Sequence, residues 1–268
     1  MNIENYEELK KSLKYMGFGE LMNEALGKAM SEGQKQFTLN TRMSYALPNS
    51  QPEDPATLDR VAYDLTFKQG KNGVTYFNSY VAKLESPLFN ERQQVFYIDK
   101  GRSFTAKESY NLLSGRSVYK HLESREGERY KAFVQLDFRG ALKPNGNYPM
   151  KSYHEKFGFN VGEAVARLPI RISSLEERDR IVRGLERGNL QRVELQDGRT
   201  VFAQTLPVDK SLRLYDEKLQ SVSVSNASGR TQSTAERTRD PKPETAAAPV
   251  VAPETGEEIK HSGRRKRG

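Results

Sequence analysis

Few residues of this chain are spaced for chemistry. Its three histidines, His121, His154 and His261, lie 33 and 107 residues apart, so none form the HExxH pair of a zinc hydrolase. A metal site needs convergent ligands at defined spacing, and each histidine reads as a surface or cleft residue. There is no cysteine. That removes disulfides, thiol nucleophiles, thiolate zinc sites and iron–sulfur clusters. No GxSxG elbow occurs, and Ser114 in Leu113-Ser114-Gly115 reads as the end of a helix. GxxxxGK[ST] and GxGxxG are both missing. Gly17-Phe18-Gly19 reads as a tight turn between helices with a buried Phe. Asp137, Glu155 and Glu163 are the carboxylates that folding would have to bring together for acid–base work, although carboxylates this frequent are mostly solvated. The sequence therefore predicts no catalytic residue, no metal site, no cofactor and no enzyme.

Binding is the more promising chemistry. Between residues 129 and 157, Tyr130, Phe133, Phe138, Tyr148, Tyr153 and Phe157 interleave with Arg129, Lys131, Arg139, Lys143, Lys151 and Lys156. Aromatics on a sheet flanked by cations stack bases and hold phosphates. The plainer alternative is a sheet with one aromatic face in the core and its cations in water, which the alternation in 129–138 favours. Arg264-Arg265-Lys266-Arg267 closes the sequence. On a flexible arm this cluster reaches phosphates or an acidic partner without sequence preference; its alternative role is solubility. The expected binding surface comprises Arg129, Lys131, Phe133, Arg139, Lys143, Lys151, Tyr153, Arg264, Arg265, Lys266 and Arg267.

Composition sets the frame for those residues. The 268 residues include 43 Lys and Arg against 35 Asp and Glu, a net charge of +8. Nine basic and six acidic residues follow Ser221, so the excess is spread along the chain. Such a balance is compatible with nucleic acid without requiring it. Residues 1–14 alternate charge with apolar side chains and show no signal-peptide core. No run is long enough to span a bilayer. The expectation is a cytoplasmic, non-membrane protein of unspecified oligomeric state.

The elements that would position these groups read as follows. Leu9, Leu13 and Met16, then Leu21, Met22, Ala25, Leu26, Ala29 and Met30, recur at helical spacing and form a helical hairpin closed by Gly33. Strands follow at 37–45 and 61–67. Three prolines mark 48–56 as a loop between them, and Gln69-Gly70-Lys71-Asn72-Gly73 as a hairpin turn. On the return strand Val74, Tyr76, Asn78 and Tyr80 share one face, with Phe77 and Val81 on the other. A fourth strand lies at 95–98. Thr105-Ala106-Lys107-Glu108 is a capping box, with Phe104 placed as a staple. Strands at 117–122, 129–138 and 148–153 come next. A helix capped by Asn160 and a second capping box at Ser174-Leu175-Glu176-Glu177 precede a hairpin at 193–203. Leu212, Leu214 and Tyr215 form an edge strand. From Val222 onward large aliphatics are scarce and aromatics absent, so burial cannot offset an ordering cost of roughly 1–2 kcal/mol per residue.

Phe104–Glu108, Tyr110–Val118 and Tyr130–Phe138, with Leu13–Gly19, Tyr76–Tyr80 and the basic end, carry a likeness. Over about residues 1–221 the chain resembles a domain-of-unknown-function family carried on Bacteroidetes conjugative transposons and related mobile elements. The resemblance implies a cytoplasmic accessory protein of a mobile element, encoded near DNA-processing genes, and transfers no catalytic residues.

Together these readings predict an α+β protein: a short helical hairpin and two small antiparallel sheets with packed helices, in domains 1–102 and 103–221, then a disordered basic tail at 222–268. The expected role is a non-enzymatic binding protein of a mobile element that contacts DNA, RNA or DNA-processing machinery. The alternative is a protein-interaction or inhibitor module such as an anti-defence factor.

Overall fold

A computed structural model describes residues 1–224 except 49, 51–53, 55–56, 100–102 and 125–126. It is an α+β fold. Helix α1 (Ile3–Tyr15) starts at Asn2, whose side chain accepts from the Asn5 amide at 3.0 Å. It buries Leu9 and Leu13. Gly17 and Gly19 take φ of 83° and 75°, a region open to glycine at no steric cost. The reversal they permit drives Phe18, 2% exposed, edge-on into Tyr63, Tyr80 and Phe77 at 5.3, 5.2 and 6.0 Å. Helix α2 (Asn23–Ser31) completes the expected hairpin and buries Leu26, Ala29 and Met30, but Leu21 and Ala25, expected on its apolar stripe, are exposed.

The first sheet is antiparallel, in the order β1 (Gln36–Ala46), β2 (Leu58–Gln69), β3 (Thr75–Glu85), β4 (Arg92–Tyr97). Val61, Tyr63, Leu65 and Phe67 of β2 are wholly buried, as alternation predicts. Strand β3 departs from expectation. Thr66 faces Ser79 while Phe67 faces Phe77, so Asn78 is an extra residue in a bulge. A bulge resets which side chains face inward, and Phe77 and Tyr80 are therefore both buried while Tyr76 is exposed. The open edge of β4 is covered by side-chain amides. Asn147 bonds the amide and carbonyl of Val95 at 2.9 and 3.2 Å, and the Tyr148 amide donates to Gln94 at 2.8 Å.

Helix α3 (Ala106–Leu113) has the capping box in full: Thr105 accepts from the Glu108 amide, and the Glu108 carboxylate accepts from the Thr105 amide. Phe104 is not a staple, because the fourth helical position is Ser109; it packs edge-on against Phe96 at 5.7 Å. Strands β5 (Val118–Glu123), β6 (Arg129–Leu136) and β7 (Met150–His154) form a second sheet. Helices α4 (Val161–Ala166) and α5 (Leu175–Glu186) follow. Strands β8 (Gln191–Glu194), β9 (Thr200–Leu206), β10 (Ser211–Tyr215) and β11 (Ser221–Val222) make a third sheet. The described residues thus form three small sheets where two were expected.

Four other expectations need correction. At α5, Ser174 accepts from the Glu177 amide, but the Glu177 carboxylate turns to the Ser173 amide and hydroxyl, so the box is not reciprocal. Leu175, the second residue of that box, is 75% exposed at the first helical position. Strand β10 is no edge, since β11 pairs with it, and Val224 is 5% exposed in a core, so the packed fold runs past residue 221. Nor does 102/103 divide the hydrophobic interior. The first core runs from Leu9 to Leu136 and includes Ala106, Tyr110, Leu112 and Leu113 of α3. A second core joins Phe133 of β6 to α4, α5 and the third sheet. The expected loop at 48–56 and the tail fall largely outside the described residues.

Candidate functional site

The structure disperses the surface expected at 129–157. Phe133 is 3% exposed and packs between Tyr119 and Phe159 at 4.9 and 5.1 Å, so it offers no face to a base. It stands opposite Tyr153 on β7, which packs on the same core. Lys151 is bound to Asp137 at 2.8 Å, and that hydrogen bond holds the Asp137 carboxyl below its usual range. Arg129, Arg139 and Lys143 are exposed and Lys131 is half-buried. Arg264, Arg265, Lys266 and Arg267 lie outside the described residues. The reason is that β6 is covered on both faces, so strict alternation does not leave one wet side.

The candidate catalytic groups fare similarly. Asp137 is engaged with Lys151, Glu155 accepts from Tyr119, and Glu163 pairs with Arg167 at 3.1 Å. Each has its own neighbour. His154 stacks on Tyr130 at 5.1 Å, and its Nδ1 accepts from the Lys156 amide. His121 is exposed on β5, and His261 lies outside the described residues. Among the described residues no three His, Asp or Glu converge as metal ligands, and no helix is long and apolar enough to cross a membrane. Ser114 donates to the Tyr110 carbonyl at 2.9 Å in the last turn of α3, as a helix-end serine does.

What the fold assembles instead is a groove of about 760 Å³. Its walls come from the end of α1 (Tyr15, Met16), the start of β3 (Tyr76, Asn78), the end of β4 (Ile98), the start of α3 (Lys107, Glu108), β5 (Lys120) and the turn after α5 (Arg187, Asn189). These segments are fastened to one another. Asn5 bonds both backbone groups of Thr75, at 2.9 and 2.8 Å, tying α1 to β3. The Ala106 amide donates to Met16 at 2.9 Å, tying α3 to α1. Tyr63 donates to the Ala106 carbonyl at 2.8 Å and Tyr80 to the Phe104 carbonyl at 2.7 Å, tying α3 to the sheet. Burial pushes both phenols above their ordinary range, so they remain neutral donors. Asn111 donates to the Arg187 carbonyl and to Asn189, and Arg116 to the Gly188 carbonyl, tying α3 to the end of α5. Here Gly188 has φ 78°, and an added Cβ would lie 2.6 Å from the Ser117 carbonyl oxygen.

The groove is unevenly charged. Lys120 is neutralised by Glu108 at 3.0 Å, with both side chains mostly buried. Arg187 is exposed and makes no ion pair among the described residues. Lys107 holds its ammonium 4.4 Å from the centre of the Tyr45 ring and 4.5 Å from that of Tyr110. Those rings stack on each other at 3.9 Å. On the same Tyr110 ring lies the Arg116 guanidinium, at 4.8 Å. Lost hydration and the Arg116 charge lower Lys107 to about 8, against the pull of Asp59. Asp59 is 1% exposed, sits opposite Tyr45 on β2 and accepts from the Tyr110 hydroxyl at 2.9 Å. Its second oxygen has no partner among the described residues. At the rim Tyr15 is 82% and Tyr76 46% exposed.

Sequence reasoning missed this set. The signals were slight: Tyr15 lies off the apolar stripe of α1, and Lys107 stands three residues before Tyr110 on one helix face. No family model, no curated protein and no solved structure matches the chain.

Proposed function

We propose that this is a non-enzymatic binding protein of a mobile genetic element that holds single-stranded nucleic acid in the groove between α1, β3 and α3. The observation that carries the reading is the pairing of two exposed tyrosines, Tyr15 and Tyr76, with cations on the same walls, Lys107 and Arg187. Exposed aromatic rings beside cations suit stacked bases and their phosphates, with little sequence preference. The net charge of +8 supports attraction to a polyanion. The mobile-element setting rests on the resemblance of residues 104–138 and their companions to the transposon-borne family.

Fluorescence anisotropy with a labelled single-stranded oligonucleotide tests it. Binding should weaken steeply between 50 and 200 mM salt, as counterion release requires. A flat salt profile, or no binding at 50 mM, rejects the reading. A second reading, a protein-interaction module, is favoured by Leu21, 92% exposed at the turn of the helical hairpin. It predicts a stoichiometric protein partner that survives nuclease and is lost in Leu21→Glu.

A further inference from the structure

We propose that β1 pairs edge to edge with β1 of a second copy, joining two four-stranded sheets into one across a two-fold axis. The two outer edges of the first sheet are treated differently by the fold. That of β4 is covered by Asn147, Tyr148 and Gln94. On the other side the Lys35 carbonyl, just before β1, accepts from the Gln69 amide at 2.8 Å, and the ladder keeps that phase to Ala46 without a shift. Backbone groups along an antiparallel strand point alternately to either side. The amides and carbonyls of Gln36, Thr38, Asn40, Arg42, Ser44 and Ala46 therefore point away from β2, and among the described residues nothing bonds them. Nor does β1 carry the devices that keep an edge single. Its eleven residues include no proline, no lysine and no bulge, and Arg42 is its one charge.

The strand is complementary to itself. Its unpaired groups meet only if even-numbered residues face even-numbered ones, and a register centred on Thr41 matches every residue from Gln36 to Ala46. On the core face Phe37 then meets Tyr45, Leu39 meets Met43 and Thr41 meets its own copy. Thr41, Met43 and Tyr45 are only half-buried in the single chain, so the second copy completes their cover, and such cross-strand pairs stabilise a sheet. On the outer face Thr38 meets Ser44 and Asn40 meets Arg42. Arg42 and Asp64 are exposed and make no ion pair among the described residues. Asp64 accepts from Asn40, so an incoming Arg42 lies beside Asn40 with that carboxylate one strand further on. Two carboxylates thereby offset the two arginines at the axis. A hollow of about 480 Å³ bounded by Asn40, Arg42, Ala62 and Asp64 opens at this midpoint and gives the incoming side chain a place to lie. A shift of two residues sets Arg42 against its own copy or leaves one end of each strand unpaired. In the full register about twelve main-chain hydrogen bonds close the joint. The groove draws on β3 and the end of β4 rather than on β1, so oligonucleotide binding is a separate readout.

Analytical ultracentrifugation of the full chain should show reversible association to twice the 30.5 kDa chain mass. Asn40→Pro removes an outward donor and leaves the ladder to β2 intact. It acts twice in the joint and should weaken association at least about tenfold. Arg42→Glu should also weaken it, by setting a carboxylate across from each Asp64, and Asp64→Arg in the same chain should restore it. Because the chain has no cysteine, Thr41→Cys reports the register. Residue 41 faces its copy in a non-hydrogen-bonded pair, with Cα atoms about 4.5 Å apart and within disulfide reach. Mild oxidation should give a covalent dimer from Thr41→Cys and none from Ser44→Cys. A chain that stays monomeric at about 100 μM, or a dimer in which Thr41→Cys does not cross-link, overturns the proposal. Should Asn40→Pro fail to fold, the wild-type mass, the exposed Arg42 variant and the cross-link still decide it.

Discussion

The two cores of this protein solve the placement of polar atoms in opposite ways. The first core is aromatic: Phe18, Phe67, Phe77, Tyr63, Tyr80 and Phe96 pack on one another, and the buried phenols donate to backbone carbonyls of the segment that opens α3. The second is mainly aliphatic, built on Val165, Ile181, Leu185, Leu195 and Ala203, with its charges outside. Arg167–Glu163 and Arg171–Glu194 are exposed pairs. A buried hydroxyl bonded to a backbone carbonyl fixes the position of that backbone, whereas an exposed ion pair gains little in water. The groove accordingly lies where helix, sheet and loop are locked by interior hydrogen bonds.

Mutations should expose that contrast. Phe18→Ala removes a ring with three edge-on partners and should cost about 3–5 kcal/mol in denaturant unfolding. Leu185→Ala in the second core should cost about 2–5 kcal/mol. If it does so without altering oligonucleotide binding, the cores are separable in function. Gly188→Ala, strained in φ and pressed against Ser117, should lose about 1–3 kcal/mol and displace Arg187 from the groove. Tyr63→Phe should lose about 1 kcal/mol, since Ser109 also donates to the Ala106 carbonyl at 2.8 Å. Arg171→Ala should change stability by no more than about 1 kcal/mol. A larger loss at Arg171 than at Tyr63 would reverse the comparison.

Lys107 gives the smallest effect, and its sign is fixed. Its folded pKa lies below the ordinary lysine value, so between about pH 8 and that value the unfolded chain holds a proton the folded chain lacks. Stability from this residue therefore rises with pH across that window. Lys107→Met should flatten the rise, measured as unfolding midpoints at pH 7 and 10. Solvent screening of this exposed side chain keeps the change small.

Much of the fold was legible because it is local. The capping box at Thr105, the cap at Asn160 and the alternation of β2 depend on residues within a few positions. The bulge at Asn78 was not legible, because it answers to pairing with Thr66 and Phe67 across a hairpin. Nor was the burial of Phe133: a period of two marks two faces but does not say that both will be covered. The third sheet escaped for the same reason, since strands at 117–153 and 193–215 do not announce their partners. The groove was the least legible feature. Its walls come from six segments between Tyr15 and Asn189, and only packing brings Tyr15, Tyr76, Lys107 and Arg187 to one place.

Photo-crosslinking of a bound, 4-thiothymidine-containing oligonucleotide, followed by peptide mapping, tests the groove most directly. Adducts should concentrate on Tyr15 and Tyr76 and vanish from the map in Tyr15→Ala/Tyr76→Ala. Adducts mapping instead to the Arg139–Lys151 stretch, with the double variant binding as well as the wild type, would contradict it.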